Sequence, residues 1–182
     1  MTSYAGRRAD GPGRMPTITV SGDDRDVRVR VADLAVAGGR ARLVTVGLGS
    51  CVAIVLHDPT TGIGGLAHVL LPSPSMSRET DNPAKFPSTA VPVLLNDMSR
   101  LGASGRVTAR LVGGASMFRS LLAVGGINVG ERNVAASREA LEAAGIAIVA
   151  EDTGGEYGRS VYLDVATGLL RVRSMAKGDR EL

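Results

Sequence analysis

The sequence predicts a strand-rich α+β domain, and three observations carry that expectation. Short β-branched and aliphatic runs recur between turns that contain glycine or proline. Two longer stretches, around 91–101 and 131–144, space their apolar residues as a helix does. Among 182 residues there are 24 glycines but only two Phe, three Tyr and no Trp, so the core must be built from Val, Leu, Ile and Ala. That length is enough for one domain with a real core.

Residues 1–16 are rich in Gly, Arg and Pro without periodicity, and are expected as a disordered N-terminal tail. The single domain is expected over 17–176, with 177–182 as a C-terminal tail. Strand alternation begins at Thr17-Ile18-Thr19-Val20 and returns at Val27 to Val31. Leu43 to Val46 and Val52 to Leu56 are apolar runs of strand length. Asp58-Pro59-Thr60-Thr61-Gly62 is a turn, with Pro suited to its second position and Gly62 able to take positive φ. Ile63 to Leu71 then returns as the partner strand.

Ser73 to Pro87 is polar, carries three prolines and reads as a surface loop. Val91, Leu94, Leu95, Met98 and Leu101 then define a helix, with Thr89 as its N-cap, Pro92 in its first turn and Gly102 at its end. Val107 to Val112 is a strand running into Gly113-Gly114, and Ser116 to Leu122 a short helix. Glu131 to Ala144 is a longer helix closed by Gly145, with Glu131 and Asn133 as capping residues. Ile146 to Ala150 is a strand, and Arg159 to Val165 with Leu169 to Ser174 a final hairpin.

Charge narrows the function classes. The net charge is +3, and acids and bases alternate along the chain rather than forming a basic stripe. With few aromatic faces for bases to stack on, nucleic-acid binding is not expected. No apolar run reaches the roughly 18 residues of a spanning helix, so no membrane insertion is expected. Arg7-Arg8 precedes no apolar stretch that would make an export signal. One cysteine excludes an internal disulfide and fits a reducing, cytoplasmic setting.

That cysteine carries the chemistry. Cys51 follows Gly47-Leu48-Gly49-Ser50, and His68 lies on the returning strand. An even-numbered loop between the strands puts the two side chains on one face. A four-residue loop, Pro59 to Gly62, sets Cys51 opposite Leu70 and leaves His68 one diagonal step away. A two-residue loop, Pro59-Thr60, sets His68 directly across. Gly62 favours the longer form, and either brings the Cβ atoms within roughly 5–8 Å. His57 shares the face but lies about 20 Å along the strand, and is expected to have no chemical role.

A thiol beside an imidazole can attack an acyl carbon, and a neighbouring imidazolium would lower the thiol pKa. Backbone N–H groups of Gly47, Gly49 and Ser50 can receive the oxygen that becomes negative. Thr45 can offer a hydroxyl to the second imidazole nitrogen. A lone cysteine after such a turn also serves as a small buried hydrophobe, and a lone strand histidine as a core residue, so spacing leaves both readings open. One Cys and two His make no tetrahedral metal set, and no metal or cofactor is implied.

The motifs decide further. Thr45-Val46-Gly47-Leu48-Gly49-Ser50-Cys51 with Gly64-Gly65-Leu66-Ala67-His68 closely resembles the chemoreceptor glutamine deamidases of bacterial chemotaxis, the CheD family. Lys85 with Thr89 to Leu94, Gly113-Gly114-Ala115-Ser116-Met117-Phe118, Gly130-Glu131-Arg132-Asn133-Val134 and Asp152 to Arg159 continue the likeness across about 17–174. The resemblance implies mixed β-sheets packed together with flanking helices, of the cysteine-hydrolase type related to deamidating toxins. It implies Cys51 as nucleophile, His68 as base and Thr45 as third member. The substrate would be glutamines on the cytoplasmic helices of methyl-accepting chemoreceptors, converted to glutamate with loss of ammonia. Receptor methylesterase action and a CheC-type phosphatase partner are also credited to members. The alternative is a non-catalytic adaptor that docks a phosphatase or receptor.

Overall fold

The computed structural model describes residues 17–21, 26–116 and 128–182. The expected tail 1–16, and the expected short helix from Met117 onward, lie outside the described residues. Among the described residues, eleven strands occupy Thr17–Ser21 (β1), Asp26–Arg28 (β2), Asp33–Gly39 (β3), Arg42–Leu48 (β4), Val52–Asp58 (β5), Ile63–Val69 (β6), Thr108–Gly113 (β7), Ala147–Thr153 (β8), Arg159–Asp164 (β9), Leu170–Ser174 (β10) and Gly178–Glu181 (β11). The helices are Pro87–Leu101 (α1) and Val129–Ala143 (α2).

The strands form two mixed sheets, one of six in the order β1-β3-β6-β5-β7-β8 and one of five in the order β11-β10-β9-β4-β2. β1 with β3, β7 with β8, and β2 with β4 pair in parallel, and the other neighbours run antiparallel. Every residue of β5 and β6 is buried, because their sheet is covered on both faces. On one side Ile54, Leu56 and Leu111 pack with Leu94 and Met98 of α1 and Leu141 of α2. On the other, Val55 and Leu66 pack with Leu43, Leu163 and Val172 of the smaller sheet. β10 shows the opposite condition, with Leu170, Val172 and Ser174 buried and Arg171 and Arg173 exposed. Its alternation places one face in solvent. Mixed sheets packed together with flanking helices is the architecture the resemblance implied.

The β5–β6 register is the four-residue-loop form: Asp58 faces Ile63 and Val52 faces Val69. Gly62 sits at φ +62, a conformation that costs glycine nothing.

Other expectations are corrected. β3 was not expected, since Leu34-Ala35-Val36-Ala37 neither alternates nor is rich in strand formers. It is stabilised by ladders on both edges, to β1 and β6. The strand expected at 27–31 ends as a ladder at Arg28, and Val31 is half exposed. α1 begins at Pro87 after Phe86, with no side-chain cap. Thr89 is therefore not the N-cap, and its hydroxyl donates to Pro83 O at 2.6 Å. Pro92 thus lies inside the helix rather than in its first turn, leaving the Ser88 carbonyl without its amide. Ser88 is exposed, so that carbonyl stays within reach of solvent. Asn128, not Glu131 or Asn133, caps α2.

The 73–87 segment contains single 3₁₀ turns at Pro74–Met76 and Pro83–Lys85, and buries Ala84 and Phe86 rather than running over the surface throughout. The chain from 177, expected as a tail, pairs with β10 as β11.

Candidate active site

The two sheets meet at one end of the β5–β6 hairpin, and the sequence-predicted residues gather there. His68 on β6 points away from the helices toward the smaller sheet, where its Nδ1 lies 2.7 Å from Thr45 Oγ1 on β4. The Thr45 hydroxyl donates its only hydrogen to Val29 O at 2.7 Å. Its oxygen is left to accept, so Nδ1 of His68 carries the ring proton and Nε2 presents a lone pair. Nε2 is buried and has no hydrogen-bond partner among the described residues.

Cys51 lies just before β5, where Val52 faces Val69, so the register continued by one residue sets Leu70 opposite it. The thiol is partly buried against the cluster between the sheets, the side that His68 faces. The electrostatics differ from the sequence expectation. Burial pushes the Cys51 thiol pKa up, only partly offset by its own backbone N–H. Burial also pushes the His68 imidazolium down, to about 4. Among the described residues no carboxylate is hydrogen-bonded to the ring to stabilise an imidazolium that would lower the thiol pKa. At neutral pH both groups are uncharged.

The loop before Cys51 is held by its carbonyls. Gly49 O accepts from Ala115 N at 2.7 Å, and Cys51 O from Gly114 N at 2.8 Å. Asn133 on α2 donates Nδ2 to Ser50 O at 2.8 Å and to Leu70 O at 3.0 Å. Sequence reading assigned Asn133 to helix capping and missed this bridge, which joins segments far apart in the chain. Gly113 has no room for a side chain here. A Cβ there would stand 2.3 Å from Cys51 O, and its φ is +118. Its bareness serves close approach to the loop rather than a strand exit alone. Among the described residues, the N–H groups of Gly49 and Ser50 take no protein acceptor. Gly47 stands apart from these contacts, in an exposed bulge of β4 with open space around it.

The 154–159 segment braces the same region. Gly154 N donates to Gly113 O and Ser116 N to Gly155 O. Buried Arg159 donates to Asp152 Oδ1 and to the carbonyls of Gly154 and Tyr157. Arg180 of β11 pairs with the other oxygen of Asp152. Burial would raise the Asp152 pKa, but the hydrogen bonds from Arg159 and Arg180 outweigh it and hold the carboxyl below its usual range. His57, at the far end of β5, donates Nε2–H to Val165 O at 2.9 Å and takes no part.

Comparison with known proteins gives a consistent picture. A family model described as CheD chemotactic sensory transduction matches residues 70–174. The chain is 40% identical over 163 residues to a probable chemoreceptor glutamine deamidase CheD of Clostridium kluyveri, covering 87% of this chain and 98% of that protein. It is 44% identical over 155 residues to a protein of the same description from Pyrococcus abyssi, covering 85% and 94%. A probable chemoreceptor glutamine deamidase CheD 2 of Geobacter metallireducens is 46% identical over 158 residues, covering 86% and 98%.

Proposed function

The chain belongs to the CheD family, and from that premise we propose that it is a chemoreceptor glutamine deamidase whose nucleophile is Cys51. Cys51 Sγ attacks the carboxamide carbon of a receptor glutamine while His68 Nε2 takes the thiol proton. The tetrahedral oxyanion is met by backbone N–H groups of the Gly49-Ser50-Cys51 turn. His68 returns the proton to the leaving nitrogen, ammonia departs, and a thioester remains. Water, deprotonated by the same Nε2, hydrolyses the thioester to glutamate and restores the thiol. Thr45 acts throughout as the acceptor that keeps the proton on Nδ1.

The observation that carries this reading is the bare, buried Nε2 of His68, its other nitrogen committed to Thr45, on the face the thiol occupies. The same chemistry would cleave a glutamyl methyl ester, since the acyl carbon and the oxyanion are alike. Among the described residues no helix is long and apolar enough to cross a membrane. The substrate would be reached at the receptor's cytoplasmic helices, so the proposed site of action is the cytoplasm, with a CheC-type phosphatase as a further proposed partner.

The test is ammonia release from a purified receptor fragment, together with mass spectrometry of its glutamines. Wild type is expected to convert particular carboxamides to carboxylates, and Cys51→Ala to convert none. Release that survives Cys51→Ala would overturn the mechanism, and receptor binding without any release would favour the adaptor reading.

A further inference from the structure

Three successive carbonyls of the nucleophile loop, those of Gly49, Ser50 and Cys51, are gripped by Ala115 N, Asn133 Nδ2 and Gly114 N. In a planar trans peptide the N–H points opposite to the C=O, and the described chain has no cis bond. Holding these carbonyls therefore turns the N–H groups of Ser50 and Cys51 away from Asn133 and Ala115.

We infer that Asn133 is a positioning residue for the oxyanion hole: by holding Ser50 O it orients the Ser50–Cys51 peptide so that the Cys51 N–H meets the oxygen made negative by attack. The inference rests on Cys51 being the nucleophile. Of the three grips only this one is a side chain, so only this one can be removed by substitution. Its second bond, to Leu70 O, ties the loop to the strand that carries His68. Two carbonyls need two hydrogens from one uncharged side chain, which only Asn and Gln supply. Asn133 is fully buried and its Oδ1 has no partner among the described residues, so the position uses the donors and leaves the acceptor idle.

The experiment compares wild type, Asn133→Ala, the isosteric Asn133→Asp and Cys51→Ala in the full chain. One readout is kcat and KM for ammonia release from a receptor fragment. The other is the pH dependence of Cys51 alkylation by iodoacetamide, whose attack at a tetrahedral carbon forms no oxyanion. Both Asn133 variants are expected to lose about 10²-fold in kcat, the scale of one lost oxyanion donor, with KM and the alkylation profile unchanged.

Wild-type kcat, or alkylation falling in step with kcat, would overturn the assignment. If neither Asn133 variant folds, Asn133→Ser keeps one donor. A partial fall in kcat with unchanged alkylation then supports the inference, and wild-type kcat ends it. Ammonia release by Cys51→Ala would sink the deamidase mechanism itself. A dead Cys51→Ala beside a fully active Asn133→Ala would sink this inference alone.

Discussion

The two ends of the β5–β6 hairpin are made from the same pair of buried strands, and each carries a histidine and a second ionisable group. At the turn end, Asp58 accepts from Thr60 N, Thr61 Oγ1, Ser104 N and Gly105 N. Burial would raise its pKa, but those donors more than offset it and hold the carboxyl at about 2. His57 beside it is anchored to Val165 O. At the open end, Cys51 and His68 are pushed the other way, toward their uncharged forms, and His68 Nε2 has no partner among the described residues. One end meets its carboxylate with four donors and anchors one imidazole nitrogen, and so contributes stability. The other leaves a base and a thiol unspent, which costs stability and leaves them available for reaction.

The comparison can be broken most severely at Thr45. Thr45→Val keeps the shape but removes the acceptor that holds the proton on Nδ1, so kcat for ammonia release should fall about 10²-fold or more, while Thr45→Ser should stay near wild type. Equal activity in the two variants would show that tautomer control is not the role of this hydroxyl.

Acid should next separate the ends. Folded His68 takes a proton only near 4 against 6.5 when unfolded, so between those values the unfolded state binds more protons. Stability is then full above the unfolded value and declines as pH falls toward the folded one, by about 3 kcal/mol at the limit. Urea melts across that window should show the decline in wild type and its loss in His68→Gln. Because the reacting thiol and imidazole are both uncharged, kcat/KM should stay level through neutral pH, with no limb from His68 near its unperturbed value.

At the turn end, Asp58→Ala should lower unfolding stability by about 2–3 kcal/mol, because it empties the site of a buried carboxylate and leaves four donors without their acceptor, yet leave kcat unchanged well below the melting midpoint. A matching drop in kcat would mean that the two ends are coupled. The smallest effect belongs to His57→Gln, about 1 kcal/mol or less in urea unfolding and none in kcat.

Legibility in the sequence followed the range of the interaction. The hairpin register was readable because the parity of a short loop is a local matter, and one turn glycine selected among the even forms. The placement of Thr45 was readable because it lies on the strand just before Gly47. β3 was not, since Ala and Gly make a poor strand signal and ladders on both edges override it. Nor was Asn133, whose two acceptors lie 83 and 63 residues away. The charge state of the thiol was misread, because a neighbouring imidazole suggests ion pairing until burial is known.

What the sequence by itself determined is the strand-and-turn grammar, the family motifs and the parity that puts Cys51 and His68 on one face of a hairpin. These depend on residues near one another in the chain, where backbone geometry leaves few choices. Only the tertiary structure decided that Val29 O commits the Thr45 hydroxyl, that Asn133 and Gly114 hold the loop, and that burial keeps thiol and imidazole neutral. Those outcomes arise where a second sheet and a helix close over the hairpin, and desolvation is a property of the whole enclosure rather than of any segment of it.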